Sequence, residues 1–170
     1  KQHEGQIPLI GGIAIFIGCT VGLSYSGTVI PGFHAFVTAI SLLFVTGVVD
    51  DYLDVPALIK LAIQVGAALI MVYWGDLRID GLANLFAPGP FYLGDFSAPF
   101  TVLAVVGYIN AINMSDGIDG LAGSLTLVSA LALLVAAYSA SLAGETVFLT
   151  IFSATVFVFL IFNARHPLRG

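Results

Sequence analysis

The sequence predicts an all-α polytopic membrane protein, with about six transmembrane helices in a single transmembrane domain over residues 1–170. Its composition excludes a soluble domain, because 59% of the residues are hydrophobic and only 9% are charged. The mean hydropathy of +1.05 agrees. Six apolar stretches are each about long enough to cross hydrocarbon, and turn-rich or charged joints separate them. Membrane is therefore an expected partner, and nucleic acid is not.

Each apolar stretch predicts one transmembrane helix. The stretches cover residues 7–24, 33–49, 58–74, 99–114, 121–141 and 146–162. The longest joint, residues 76–97, contains two short pieces that can pair, which predicts a short extracytoplasmic β-hairpin. Lys1 stands where an initiator Met would be, so we expect the sequence to be the central part of a longer chain.

The distribution of basic residues predicts the orientation. With six helices, both ends of the sequence and the second and fourth joints share one face of the membrane. Four of the five basic residues lie on that face, and Arg78 lies on the other. The four are Lys1, Lys60, Arg165 and Arg169. The positive-inside rule therefore places this face in the cytoplasm.

Two acidic clusters end the second and fourth apolar stretches. The first is Asp50-Asp51-Tyr-Leu-Asp54, and the second contains Asp116 and Asp119. Hydrocarbon does not tolerate unpaired acids, so both clusters must lie at an interface or in a wet cavity. Two crossings separate the clusters, and they therefore return to the same face. The sequence predicts that they meet in one cytoplasmic site.

The first cluster favours a metal site. Asp50 and Asp54 are four residues apart and share a helix face if the helix continues that far. Carboxylates at that distance repel one another unless a cation or a proton lies among them. Mg²⁺ fits best, since it takes oxygen ligands and bridges carboxylates to phosphates, so Asp50 and Asp51 are candidate ligands. The alternative is that these acids end a helix and stay hydrated.

Amides and a lysine accompany the acids. Asn110 and Asn113 can donate and accept hydrogen bonds together, which suits the edge of a base or sugar. For Asn110 a hydrogen bond between helices is the alternative, and Asp119 also suits a helix N-cap. Lys60 can hold a phosphate, or its side chain can extend to the interface.

Three segments resemble one known family, the polyprenyl-phosphate N-acetylhexosamine-1-phosphate transferases (glycosyltransferase family 4). They are His3-Glu-Gly-Gln-Ile-Pro-Leu-Ile-Gly-Gly12, Gly47-Val-Val-Asp-Asp51 and Asn110-Ala-Ile-Asn-Met-Ser-Asp-Gly-Ile-Asp-Gly-Leu-Ala-Gly123. Their order and spacing match, as do Lys60 and Gln64 after the acidic pair. The resemblance covers essentially the whole chain, and the third segment is the most specific.

The resemblance implies an enzyme of the bacterial inner membrane that starts cell-envelope glycan synthesis. Such an enzyme transfers N-acetylhexosamine 1-phosphate from a UDP-sugar to polyprenyl phosphate, such as undecaprenyl phosphate, and releases UMP. It depends on Mg²⁺, with Mn²⁺ as an alternative, and a homodimer is possible. The Ile-Pro-Leu-Ile-Gly-Gly form looks closer to the branch that uses UDP-N-acetylglucosamine.

The resemblance also implies residue roles. Asp50 and Asp51 would be the base for the lipid phosphate or carboxylates beside the metal. Two further acids, Asp116 and Asp119, would contact the nucleotide sugar or assist catalysis together with Asn113. The remaining candidates for substrate binding are His3, Gly12, Lys60 and Asn110.

One departure from the family matters. A Phe-Met-Gly-Asp-x-Gly-Ser segment, whose Asp is thought to bind Mg²⁺, does not occur before Gly170. We therefore expect the main metal ligand to lie beyond Gly170 and residues 1–170 alone to be inactive. Two rival functions stay open: an intramembrane prenyltransferase, whose aspartate-rich motif resembles the first cluster, and a transporter. A transporter predicts acids near the middle of the membrane.

Overall fold

The computed structural model describes residues 8–27, 30–83, 89–115 and 120–164. Six α-helices make up most of this part of the chain. They are α1 (Pro8–Ser26), α2 (Phe33–Leu53), α3 (Ala57–Leu69), α4 (Ser97–Ser115), α5 (Leu121–Ser139) and α6 (Ala143–Ala164). A π-helical turn, Ile70–Trp74, extends α3, and a 3₁₀ turn, Gly94–Phe96, precedes α4. The predicted all-α architecture is confirmed.

Five helical segments are long and apolar enough to cross a membrane, by length and composition. They are Phe33–Leu53, Ala57–Trp74, Gly94–Ser115, Leu121–Ser139 and Ala143–Phe162. The apolar part of α1, Gly11–Ser26, is shorter. A multi-pass membrane protein is thus supported, while the sixth crossing stays a prediction.

The joint between α3 and α4 contains one isolated antiparallel bridge, between Gly81 and Tyr92. The Leu82 N–H donates to the Phe91 carbonyl at 2.8 Å beside it. Residues 84–88 lie outside the described part of the chain. A single bridge is less than a pair of strands, so the complete hairpin also stays a prediction.

The same joint is tied to the start of α4 by polar groups. Ile79 donates its N–H to Thr101 Oγ1 at 2.9 Å, and Thr101 Oγ1 donates to the Ser97 carbonyl at 2.7 Å. Ser97 Oγ lies 2.9 Å from the Ile79 carbonyl oxygen and 2.8 Å from Asp80 Oδ1. Ser97 and Thr101 are buried, so these bonds satisfy groups that would otherwise be costly to bury.

The contacts divide the chain into two compact units. The split unit comprises Lys1–Ile30 and Ile112–Gly170, and the central unit comprises Pro31–Ala111. In the split unit, α1 and α5 both pack on α6. A Cβ added at Gly18 would lie 2.8 Å from Thr155 Cγ2, and one at Gly22 would lie 2.6 Å from Ile151 Cγ2. These glycines therefore permit close packing of helices.

In the central unit, α2 and α3 form a helical hairpin with a three-residue connection. Their contact is built on small side chains, which let two backbones approach closely. The alanines that are almost completely buried are Ala35, Ala39, Ala67 and Ala68. This packing fixes the end of α2 beside the start of α3, where the first acidic cluster lies.

Candidate active site

The turn between α2 and α3 determines the geometry of the first acidic cluster. Helix α2 ends at Leu53, and Asp54 takes a left-handed backbone conformation with φ 46° while its N–H donates to the Asp50 carbonyl at 3.1 Å. Pro56 disfavours helical backbone at Val55, which explains why the helix stops here. Asp54 therefore does not stack on Asp50, because the helix does not continue that far.

Both carboxylate oxygens of Asp50 are engaged. Oδ1 accepts the Val55 N–H at 2.9 Å, and Oδ2 lies 2.9 Å from Lys60 Nζ. The side chains of Asp50 and Lys60 keep 29% and 38% of their surface exposed. The carboxylate thus closes the turn and is neutralised by the ammonium group of Lys60.

Asp51 is placed differently from its neighbour. Asp51 is exposed, and among the described residues its carboxylate has no hydrogen-bond or ion-pair partner. The sequence assigned the two acids the same alternatives. The structure separates them into a paired carboxylate, Asp50, and an open one, Asp51.

A second polar contact lies further along α3. Lys60 and Gln64 are four residues apart and therefore project from the same face of the helix. Asn110 of α4 donates through Nδ2 to Gln64 Oε1 at 2.7 Å and to the Val106 carbonyl at 2.8 Å. Gln64 is only 8% exposed. The alternative interpretation of Asn110, a hydrogen bond between helices, is confirmed.

An apolar groove of ≈ 440 Å³ continues along α3 and α4 from this contact. Its lining includes Val65, next to Gln64, and Val106, whose carbonyl accepts from Asn110. Apart from the Tyr73 hydroxyl, the lining side chains are hydrocarbon. The groove therefore supplies an apolar surface and, apart from the Tyr73 hydroxyl, no polar side chain.

Two further predicted site residues, Asn113 and Gly12, belong to the split unit. Asn113 is exposed on α4, and Gly12 is exposed on α1 with open space around the position of a Cβ. His3, Asp116 and Asp119 lie outside the described residues. The meeting of the two acidic clusters in one site accordingly stays a prediction.

The donor set bears on the predicted metal. Within the described ranges, no three His, Cys, Asp or Glu side chains are grouped closely enough to hold a metal ion. Mg²⁺ is usually bound through one or two carboxylates together with waters and substrate phosphates. The open carboxylate of Asp51 fits such a ligand, whereas both oxygens of Asp50 are already in use.

Sequence reasoning missed two contacts: the amide hydrogen bond between Gln64 and Asn110, and the closure of the turn by the Val55 N–H. A signal for the first was available. Lys60 and Gln64 are spaced by four on an otherwise apolar helix, so both face one side and both require polar partners there.

A family model described as glycosyl transferase family 4 matches residues 33–168, which include α2 to α6 and the acidic pair. The chain belongs to glycosyl transferase family 4. This membership confirms the family predicted from the three sequence segments.

Several bacterial proteins are similar to this chain over most of its length. An undecaprenyl-phosphate alpha-N-acetylglucosaminyl 1-phosphate transferase of Yersinia pestis is 32% identical over 96% of the chain and 45% of its own length. The protein of that name from Escherichia coli K12 is 36% identical over 76% of the chain and 35% of its own length. A probable undecaprenyl-phosphate N-acetylglucosaminyl 1-phosphate transferase of Bacillus subtilis is 35% identical over 99% of the chain and 47% of its own length. The chain thus spans less than half the length of these relatives.

Proposed function

We propose that this chain takes part in transferring N-acetylhexosamine 1-phosphate from a UDP-sugar to a polyprenyl phosphate at the cytoplasmic face of the bacterial inner membrane. The observation that carries the proposal is the family match over residues 33–168. Relatives named for undecaprenyl phosphate and N-acetylglucosaminyl 1-phosphate support this lipid and this sugar. Lys60 and the open carboxylate of Asp51 lie near the turn that joins the apolar helices α2 and α3. This position suits the phosphate of a lipid whose tail stays in hydrocarbon.

The reaction balances as one substitution at phosphorus. An oxygen of the lipid phosphate attacks the phosphorus bonded to the sugar, and a new P–O bond forms. The P–O bond to the nucleoside phosphate breaks, and UMP leaves. Such transfers depend mainly on positioning and on neutralising charge.

Lys60 is suited to neutralising charge. An ammonium group has three donors, and one of them is directed to Asp50 Oδ2. Because the side chain is 38% exposed, the other donors are accessible to a phosphate. On this proposal Asp50 positions Lys60 rather than reacting itself.

Of the adjacent pair Asp50 and Asp51, Asp51 is the one whose carboxylate is available to a metal or a proton. We propose that it holds Mg²⁺ or accepts the proton of the lipid phosphate, because its oxygens have no partner in the described part of the chain. When bound, Mg²⁺ supplies positive charge to the phosphates. Contacts of the nucleotide sugar with Asn113, Asp116 and Asp119, and with His3 and Gly12, belong to the same proposal.

The geometry favours this reaction over the two rivals. An aspartate-rich prenyltransferase motif needs its first and last acids, here Asp50 and Asp54, on one helical face. Asp54 lies beyond the last residue of α2, Leu53. A transporter predicts acids near the middle of a helix. Asp50 and Asp51 instead lie in the last turn of α2.

The test measures release of UMP by membranes that contain the protein expressed from its complete reading frame. Wild type is expected to release UMP only with UDP-N-acetylglucosamine, undecaprenyl phosphate and Mg²⁺ together. Asp51→Asn should lower the rate about 100-fold or more, since it removes a carboxylate from the reacting phosphates. Asp76→Asn is the matched control, because Asp76 pairs with Arg78 in an exposed contact and should leave the rate unchanged.

Two results would contradict the proposal. Folded wild-type protein that releases no UMP with any UDP-N-acetylhexosamine would refute the reaction. An Asp51→Asn variant as active as wild type would retain the reaction but remove Asp51 from it.

A further inference from the structure

We propose that Gln64 is a positioning residue that fixes the Asn110 amide, so that Asn110 offers a ligand only its carbonyl oxygen. Asn110 would then accept a hydrogen bond from an O–H or N–H group of the sugar. The proposal rests on the proposed function, since it concerns how the nucleotide sugar is bound. It changes the role predicted from sequence, in which Asn110 both donates and accepts.

The hydrogen bonds of Asn110 carry the first step. A carboxamide has two N–H donors, and Asn110 directs them to Gln64 Oε1 at 2.7 Å and to the Val106 carbonyl at 2.8 Å. No donor capacity is left for a ligand. Among the described residues, Oδ1 has no donor, so it is the atom of this amide that a ligand can still use.

The burial of Gln64 carries the second step. Gln64 is 8% exposed, and Ala67 and Ala68, one turn further along α3, are fully buried. A buried amide that loses its partner pays a desolvation cost, so Gln64 and Asn110 hold each other in one arrangement. Without Gln64, only the Val106 carbonyl orients the Asn110 amide, so rotation about χ2 that exchanges its oxygen and nitrogen becomes less costly.

The position of Lys60 indicates which group of the ligand is read. Lys60 precedes Gln64 by one helical turn on the same face of α3, a separation of about 6 Å along the helix axis. A diphosphate held by Lys60 therefore places its attached sugar within reach of the Asn110 carbonyl. The hydroxyl and acetamido N–H groups of the sugar are donors and match an acceptor-only partner.

The expected kinetic signature is a change in KM. Gln64→Leu removes the acceptor, and KM for the UDP-sugar should rise about five- to tenfold, the value of one neutral hydrogen bond, with kcat within about twofold of wild type.

A double-mutant cycle separates positioning from general damage. Asn110→Ala should raise KM by itself, and adding Gln64→Leu should then change it no further, because the amide to be positioned is gone. Val72→Ala is the matched control. Val72 is buried in the π-helical turn that extends α3, so the variant should lower stability and leave KM unchanged.

Binding of radiolabelled UDP-N-acetylglucosamine to the same variants keeps the two proposals distinguishable. Suppose that wild type binds UDP-N-acetylglucosamine, that Gln64→Leu weakens this binding, and that no UMP is released. This result would refute the reaction and retain the positioning role of Gln64. Active wild type with an unchanged KM in Gln64→Leu would refute the positioning role alone. Effects of Gln64→Leu and Asn110→Ala that multiply in full would also refute it.

Discussion

Removal of the charge on Lys60 tests the central contact of the candidate site. Lys60→Met leaves the Asp50 carboxylate without its cation, while Asp50→Asn keeps an Oδ1 acceptor for the Val55 N–H and removes only the charge. The pair of variants therefore isolates the charge interaction. The quantity to measure is the coupling free energy of unfolding between the two substitutions.

The magnitude follows from distance and exposure. Two unit charges about 4 Å apart interact by about 4 kcal/mol at an effective dielectric constant near 20. Here Nζ and Oδ2 are 2.9 Å apart, but the two side chains are 38% and 29% exposed. Water screening and the cost of desolvation therefore reduce the expected coupling to about 1–2 kcal/mol.

The assay is equilibrium unfolding by SDS in mixed micelles for wild type, both single variants and the double variant. Asp76 and Arg78 form the matched control pair, since their side chains are 81% and 41% exposed. Their coupling should be below about 0.5 kcal/mol. A coupling between Asp50 and Lys60 no larger than that of the control pair would refute the argument that Asp50 holds Lys60.

Three glycines give further predictions. Gly32→Ala should destabilise the protein by about 3 kcal/mol, because φ is 70° and the new Cβ would lie 2.5 Å from the Gly75 carbonyl oxygen. Gly27→Ala should cost only about 1–2 kcal/mol in the same unfolding assay, because φ is 60° but the space around the new Cβ is open. Gly18→Ala should cost about 1–3 kcal/mol through overlap with Thr155 Cγ2. Thr155→Ser removes that methyl group and should recover most of the loss; failure to recover would show that the cost has another origin.

The helices were predictable because a run of apolar residues as long as the hydrocarbon is thick has few alternatives to a helix. The stretch 33–49 corresponds to α2, Phe33–Leu53, and the stretch 121–141 corresponds to α5, Leu121–Ser139. The end of α2 was less predictable. Whether Asp54 continued the helix depended on a left-handed residue before Pro56, and a pattern of acids does not reveal that.

The side-chain contacts were the least predictable part. Asp50 and Asp51 are adjacent and chemically identical, and only the position of Lys60 in three dimensions makes one paired and the other open. Gln64 and Asn110 are 46 residues apart, so no local pattern joins them. Sequence reasoning identified the chemical groups, and tertiary packing determined which of them remain available to a ligand.

The division of the acidic pair has a consequence for the charge of the site. Asp50 and Lys60 cancel, so the open carboxylates of Asp51 and Asp54 leave the first cluster with a net charge of about −2. Pairing Asp50 with Lys60 reduces the number of unpaired carboxylates in the cluster from three to two, which lowers the cost of placing it there. On the proposed function, however, the same charge repels a diphosphate and a lipid phosphate, since like charges that approach closely disfavour one another. The arrangement therefore favours phosphate substrates that arrive with a divalent cation over bare ones, and it assigns Asp51 rather than Asp50 as the group that meets that cation.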